Sequence, residues 1–255
     1  MMKAILPDFL KFKTAKELIR VGRDNDGGYL ISKKDIQQSD ILISLGISSD
    51  WSFEEDFLKY KSVPILAFDG TISSKKFLKN TLKAIFLFYN PKLFINALKT
   101  YISYSAFFRN SVRHFQKNIS SKIKENSNFI TMEEVFDLTD KSNIFLKIDI
   151  EGSEYRILDS ILENQNRISG IAIEFHDCDL HLDKIKRFID KLSIPLVHVH
   201  ANNWSIIIEK NQLPINLEMT FSRNAEQEEK YILPHSKDMP NNPSKEEIIL
   251  KYLKV

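Results

Sequence analysis

The sequence predicts an α/β fold: a doubly wound, mostly parallel sheet with an antiparallel strand at one edge and a helical insertion. Three observations lead there. Short runs rich in Ile, Leu and Phe recur along the chain and alternate with stretches of helical apolar spacing. Several runs close on a glycine or a carboxylate, the pattern of buried parallel strands meeting a loop. Late in the chain, LVHVH and WSIIIE follow so closely that they read as a hairpin.

Taken in order, the first strand is Ile41–Leu45, followed by a polar turn and a helix from about Ser52, where Ser52 and Glu55 have the spacing of a capping box. Pro64–Phe68 is the second strand, closing on Asp69-Gly70-Thr71, and a weaker third lies near Val112–Phe115. The fourth, Ile144–Ile150, runs into Gly152 and a helix that Ser153 would cap, with Ile157, Leu158, Ile161 and Leu162 on one face. The fifth, Gly170–Phe175, precedes a helix carrying Leu182, Ile185, Phe188, Ile189 and Leu192. Leu196–His200 and Trp204–Glu209 complete the set.

A stretch at about 73–110 breaks this rhythm. It combines Lys75, Lys76, Lys79 and Lys83 with Phe86, Phe88, Tyr89, Phe94, Tyr101, Tyr104, Phe107 and Phe108, and Pro91 divides it into two helices. An added layer or a homodimer contact is the first expectation and a cap over the site the second. An interfacial membrane helix would require its lysines and apolar residues to segregate cleanly. From about Asn224 the chain turns polar, and only its last apolar run, IILKYLKV, offers packing. The whole, 1–255, reads as a single domain.

Composition narrows the class. Thirty-six basic against 34 acidic residues give no nucleic-acid footprint. A lone cysteine, Cys178, excludes an internal disulfide framework and fits a reducing compartment. Pro7 and Asp8 interrupt the apolar N-terminus, and no apolar run reaches the roughly 18 residues of a membrane span. A cytoplasmic protein is expected.

The chemistry-bearing residues collect at strand ends. Asp149 and Glu151 sit where a buried strand meets a helix, at the carboxyl edge where open α/β sheets bind ligands. Glu151 also suits a helix cap. Asp69 lies about 20 residues beyond the Gly46 turn, the place of a ribose-binding carboxylate. The loop LGISSD has one glycine where a dinucleotide fingerprint has two or three, which argues against a pyrophosphate cradle and for a phosphate-free cofactor. Ser48, Asp50 and Glu54 would then serve its polar edge. Asp149, Glu174 and His176 form a set that could hold a divalent cation, and His198, His200, Asn202 and Asn203 could converge on the same edge. The turn Arg23-Asp24-Asn25-Asp26-Gly27-Gly28-Tyr29 reads as an exposed hairpin turn. Arg109, Arg113, His114, Lys117, Lys122 and Lys124 form either a solvated basic face or a site for an anionic acceptor.

Seven segments together resemble the FkbM-type methyltransferase family: GRDNDGGYLI, ISLGISSDWSFEEDF, AFDGT, FLKIDIEGSEYRIL, IAIEFHD, HVHANNW and LPINLEMTF. The resemblance spans about Arg20 to Phe221 apart from the insertion. It implies a Rossmann-like class I fold, S-adenosylmethionine as cofactor, and O-methylation of a hydroxyl or phosphoryl oxygen on a sugar, surface-glycan (capsule) precursor or other small molecule. Carried over, Gly46, Ser48, Asp50, Glu54, Asp69 and Gly70 would bind the cofactor, and Asp149, Glu151 and His176 would face the acceptor. Mg2+ is an optional second cofactor. The rival class is a non-catalytic nucleotide- or glycan-binding module on the same sheet.

Overall fold

Seven strands form the central sheet, numbered in chain order: β1 (Ile41–Leu45), β2 (Ile65–Phe68), β3 (Val112–Phe115), β4 (Ile144–Ile148), β5 (Ile168–Phe175), β6 (Leu196–Ala201) and β7 (Leu217–Ser222). The computed structural model describes residues 2–85, 91–121, 126–210, 212–226 and 233–252. Across the sheet the strands run β6-β7-β5-β4-β1-β2-β3. All neighbours are parallel except β7, which is antiparallel to both β5 and β6. The expected antiparallel strand therefore lies at that end of the sheet, one place in from its rim. The chain winds outward from β1 through β2 to β3, then returns to the far side of β1 with β4. That reversal makes the β1–β4 boundary a topological switch point.

Burial explains the apolar runs. Every residue of β1, β4 and β5 is buried. Ile41, Ile43 and Leu45 enter one core with Ile144, Leu146 and Ile148, while Leu42 and Phe145 enter the core on the opposite face. Among the described residues seven helices accompany the sheet: α1 (Lys33–Gln38), α2 (Ser52–Tyr60), α3 (Ser74–Ile85), α4 (Pro91–Phe107), α5 (Met132–Asp137), α6 (Leu158–Glu163) and α7 (Cys178–Lys191). Helix α7 buries Ile185 and Phe188, part of the stripe expected there. None of the described helices is long and apolar enough to cross a membrane.

The expected insertion is the α3–α4 pair. Its inner surface builds an aromatic cluster in which Trp51 meets Phe77, Tyr104 and Phe108 with ring centroids 5.6–6.1 Å apart. Phe86, Phe88 and Tyr89 lie outside the described residues.

Several local expectations are corrected. Leu196–Ala201 pairs with Leu217–Ser222, and Ile207–Ile208 pairs with Leu213–Pro214, so LVHVH and WSIIIE do not form a hairpin. The segment LEMTFS, buried throughout, supplies the antiparallel strand instead. Ser52 is already helical behind Trp51, its backbone N–H bonding Asp50 Oδ1 at 3.0 Å, so it forms no capping box. The capping box is at Thr131 and Glu134. After Gly152 a short 3-10 turn, Glu154–Arg156, precedes α6, and Ser153 caps nothing.

The late polar segment is more than a solvated tail. Ile248–Tyr252 pairs in parallel with Met2–Leu6, the packing expected of the last apolar run. Before it, Asp238 lies 3.0 Å from His198, and Asn203 exchanges hydrogen bonds with Asn242. His200 is held by Glu218 on Nδ1 (2.9 Å) and Glu247 on Nε2 (3.2 Å). His198, His200 and Asn203 thus fasten this segment over β6 and β7 rather than converging on the carboxyl edge.

Burial alone would lower the His200 pKa, but its two carboxylate partners raise it to about 10. A raised folded-state value stabilises the fold fully below the ordinary histidine range near 6.5 and loses that stabilisation as pH climbs through about 10. The melting temperature should therefore fall between these limits, and less steeply in His200→Gln. Equal slopes in the two proteins would refute the role.

Candidate active site

A cleft of about 740 Å³ opens at the carboxyl ends of β1 and β4, on the switch point. Gly46 follows β1 and Asp149 follows β4, and the Asp149 N–H bonds the Leu45 carbonyl across the gap at 2.9 Å. Gly46 has φ +78°, and a β-carbon there would overlap the Asp149 carbonyl oxygen. The glycine is thus demanded by the close approach of two strand ends.

Asp69, at the end of β2, organises the loop after Gly46. Its Oδ2 accepts the backbone N–H groups of Ile47 (3.2 Å) and Ser48 (2.8 Å), and its Oδ1 accepts the Thr71 N–H (2.7 Å) and hydroxyl (2.5 Å). Burial would raise the Asp69 pKa, but the Thr71, Ser48 and Ile47 donors outweigh it and leave it lowered. All four acceptor positions of the carboxylate are in use. A ribose diol would have to take the place of the Thr71 hydroxyl.

Lys147, which no sequence motif marks as a site residue, stands in the cleft wall. It is 5% exposed, in the middle of the apolar run of β4. Its ammonium donates to the Gly46 carbonyl (2.5 Å), approaches Asp149 Oδ2 (3.4 Å), and lies 5.8 Å from the Tyr29 ring centroid. Desolvation would lower its pKa, yet Asp149 and Glu54 hold it above the ordinary lysine value. The visible signal was a single charge inside IFLKI. Glu54, on α2, is buried and bonds the Ser44 hydroxyl. Its Oε2 has no hydrogen-bond partner although Glu54 lines the cleft. Tyr29 donates to Asp149 Oδ2 at 3.3 Å.

The turn after Asp149 is closed by Glu154, not by Glu151. Fully buried Glu154 accepts the N–H groups of Ile150 (3.0 Å) and Gly152 (3.2 Å) on Oε1, and the same oxygen meets His176 Nδ1 at 3.1 Å. Glu151 takes a left-handed backbone, φ +54°, with a side chain 86% exposed and 3.4 Å from His176 Nε2. It caps no helix, and its strained conformation aims a carboxylate at the cleft margin. Burial would lower the His176 pKa, but Glu154 and Glu174 raise it to about 9, so the ring is cationic near neutral pH.

The expected cation set changes by one member. Glu174 is buried with Oε1 held by Asn202 (2.8 Å) and Asn216 (3.3 Å), 3.8 Å from His176. Donor atoms of Asp149, Glu151 and His176 instead lie within 4.8 Å of one another. Of the expected cofactor residues, Gly46, Ser48, Asp50, Glu54 and Asp69 line the cleft. Gly70 packs against the Asn118 side chain instead.

The N-terminal turn expected to be merely exposed lines the cleft through Arg23, Asp26 and Gly27, with Arg23 Nε 2.9 Å from Asp50. Of Arg109, Arg113, His114 and Lys117, the described members of the expected basic group, only Lys117 lines the cleft. His114 is bound to Tyr104 and the Asp69 carbonyl, and Arg113 lies over the Phe115 ring. Lys122 and Lys124 fall outside the described residues.

No protein-family model matches the chain, and no curated protein matches its sequence. Solved structures with a similar fold include an rRNA methylase from Streptococcus thermophilus (10% identity, 74% of this chain and 92% of that chain, TM-score 0.39). A precorrin-6y C5,15-methyltransferase from Geobacter metallireducens (14%, 85% and 97%, 0.36) is another, and the fibrillarin pre-rRNA processing protein of Methanococcus jannaschii (9%, 75% and 70%, 0.36) a third. These likenesses are distant, and the sheet order carries the fold class on its own. A seven-stranded sheet in this order, with the seventh strand antiparallel, is the Rossmann-like methyltransferase fold.

Replacing Lys147 by Met should leave Glu54 and Asp149 facing each other without a countercharge, at a cost of about 3–5 kcal/mol in urea unfolding. Adding Glu54→Gln should restore part of that loss. A Lys147→Met protein as stable as the parent would remove the ion cluster from its central place.

Proposed function

We propose that the protein is an S-adenosylmethionine-dependent O-methyltransferase acting on a hydroxyl or phosphoryl oxygen of a sugar, surface-glycan precursor or other small molecule. The observation that carries this reading is the state of the Gly46 loop. Its amides at Ile47 and Ser48, the donors that would cradle a phosphate, are already bound to Asp69. The cleft thus suits a cofactor without phosphates, and the unpartnered Glu54 Oε2 suits a ligand ammonium. The motif resemblance to FkbM-type enzymes supports the acceptor class.

Gly46, Ser48, Asp50, Glu54 and Asp69 would hold the cofactor, which when bound supplies an electrophilic methyl group. The chain's own task is then to orient the acceptor oxygen and take its proton, since alignment supplies most of the rate in such a transfer. His176, cationic and pinned by Glu154, is occupied as a donor and positions Glu151. Proton acceptance falls to Asp149, whose Oδ2 partners, Tyr29 and Lys147, are both at long range (3.3 and 3.4 Å). The Asp149 carboxylate would take the proton that the acceptor oxygen loses on methylation. Asp149, Glu151 and His176 are also the residues that would hold a divalent cation such as Mg2+, which there would acidify the acceptor hydroxyl and displace the imidazole proton.

Thermal shift should show stabilisation by S-adenosylmethionine and S-adenosylhomocysteine but not by NAD. Asp149→Asn should abolish methyl transfer to a responsive acceptor while keeping the cofactor shift within about twofold in affinity. Full turnover by that variant would overturn the assignment of Asp149. An NAD shift in place of the S-adenosyl shift would overturn the reading of the cleft.

A further inference from the structure

The insertion carries an unusual charge pattern that the methyl-transfer site does not use. From Gly70 to Lys124 the sequence contains no Asp or Glu, although the whole chain is nearly balanced. Helices α3 and α4 alone present Lys75, Lys76, Lys79, Lys83, Lys92 and Lys99.

The two helices sort their residues by face. On α3 the buried residues Phe77, Thr81 and Ala84 recur at helical spacing and face the aromatic cluster. One position further round, Leu78, Leu82 and Ile85 form a second row that is exposed, Leu82 to 51%. Lys75, Lys79 and Lys83 border that row at the same spacing. On α4, Ile95 and Ile102 repeat seven residues apart and are exposed, Ile102 to 56%, with Lys92 and Lys99 repeating beside them. The inner rows already attach the pair to the sheet, so the outer aliphatic rows are not needed for its core.

We propose that this lysine-flanked aliphatic surface docks on an anionic lipid bilayer. Leu and Ile side chains would enter the acyl boundary while the lysine ammonium groups reach the headgroup phosphates. A second copy of the chain fits less well. A two-fold contact through this surface would set lysine rows against each other with no carboxylate in the insertion to pair them. A single-stranded nucleic acid would use exposed aromatic platforms, whereas the cluster aromatics here turn inward.

The surface adjoins the cleft. Arg23 and Asp50 line the main cleft and also a smaller hollow against Lys99, Thr100 and Ser103 of α4. Docking would therefore present the cleft to acceptors carried at the bilayer surface. That consequence rests on the methyltransferase reading, but the docking itself does not.

Vesicle flotation tests it with the full chain, using phosphatidylcholine alone and phosphatidylcholine mixed with phosphatidylglycerol. The protein should float with the mixed vesicles at low salt, be released by high salt, and stay behind with phosphatidylcholine alone. Lys75→Glu/Lys79→Glu/Lys83→Glu and, separately, Leu82→Asp/Ile102→Asp should each weaken flotation about tenfold or more without changing the melting temperature or the cofactor shift. Equal flotation on both vesicle types, flotation on neither, or undiminished flotation of both variants would overturn the proposal. So would a dimer that Leu82→Asp/Ile102→Asp dissolves, or an RNA oligonucleotide bound in preference to the mixed vesicles.

Discussion

A single buried ammonium holds the site together. Lys147 stands on the central strand β4, where its charge could not remain without partners. It reaches the Gly46 carbonyl at the end of β1 and Asp149 beyond the end of β4, and it shares the interior with Glu54 of α2. Three separately built pieces of backbone are drawn to one point by one charge. The cleft between them inherits its shape from that point, and so does the placement of the carboxylate assigned to proton transfer. Burying an ion pair is not in itself a gain in stability. Here it specifies how two strand ends and a helix start meet.

The second organiser is Asp69. The carboxylate at the end of β2 has its four acceptor positions occupied by the loops around it, so a ribose there would exchange with the Thr71 hydroxyl. The side chain and the loop amides neutralise each other's demands: the loop gains an anion for its N–H groups, and the anion gains four donors. The same exchange removes the amides from service as a phosphate cradle. One set of hydrogen bonds thus fixes both the loop and the carboxylate that holds it.

Much of the fold was legible because buried parallel strands leave uninterrupted apolar runs, and β1, β2, β4 and β5 all stand near their expected positions. LEMTFS was not legible as a strand, because Glu218, Thr220 and Ser222 break its apolar run and yet are buried. Glu218 is satisfied by His200 and Asn241, partners brought from distant sequence. The same limit applies in the site. Asp149, Glu151 and His176 were recognisable from their strand-end positions, but Glu154 looked like an ordinary helix-start acid. Its role depends on the amides of Ile150 and Gly152 folding back onto it. Arg23 and Asp26 belong to a turn whose importance depends on which loop lies opposite, and neighbouring residues in sequence do not reveal that.

The pairing of Met2–Leu6 with Ile248–Tyr252 has a topological meaning. Two strands separated by nearly the whole described chain are each other's ladder partner, a pairing of very high sequence separation, and Ile5 is also held by the Gln212 carbonyl at 2.8 Å. Ala4 and Leu6, both wholly buried, join the main core through this pairing. Closure of this small parallel pair ties the two most distant described segments of the chain together. The two segments thus act as a clasp on the fold, one that no stretch of neighbouring sequence could supply.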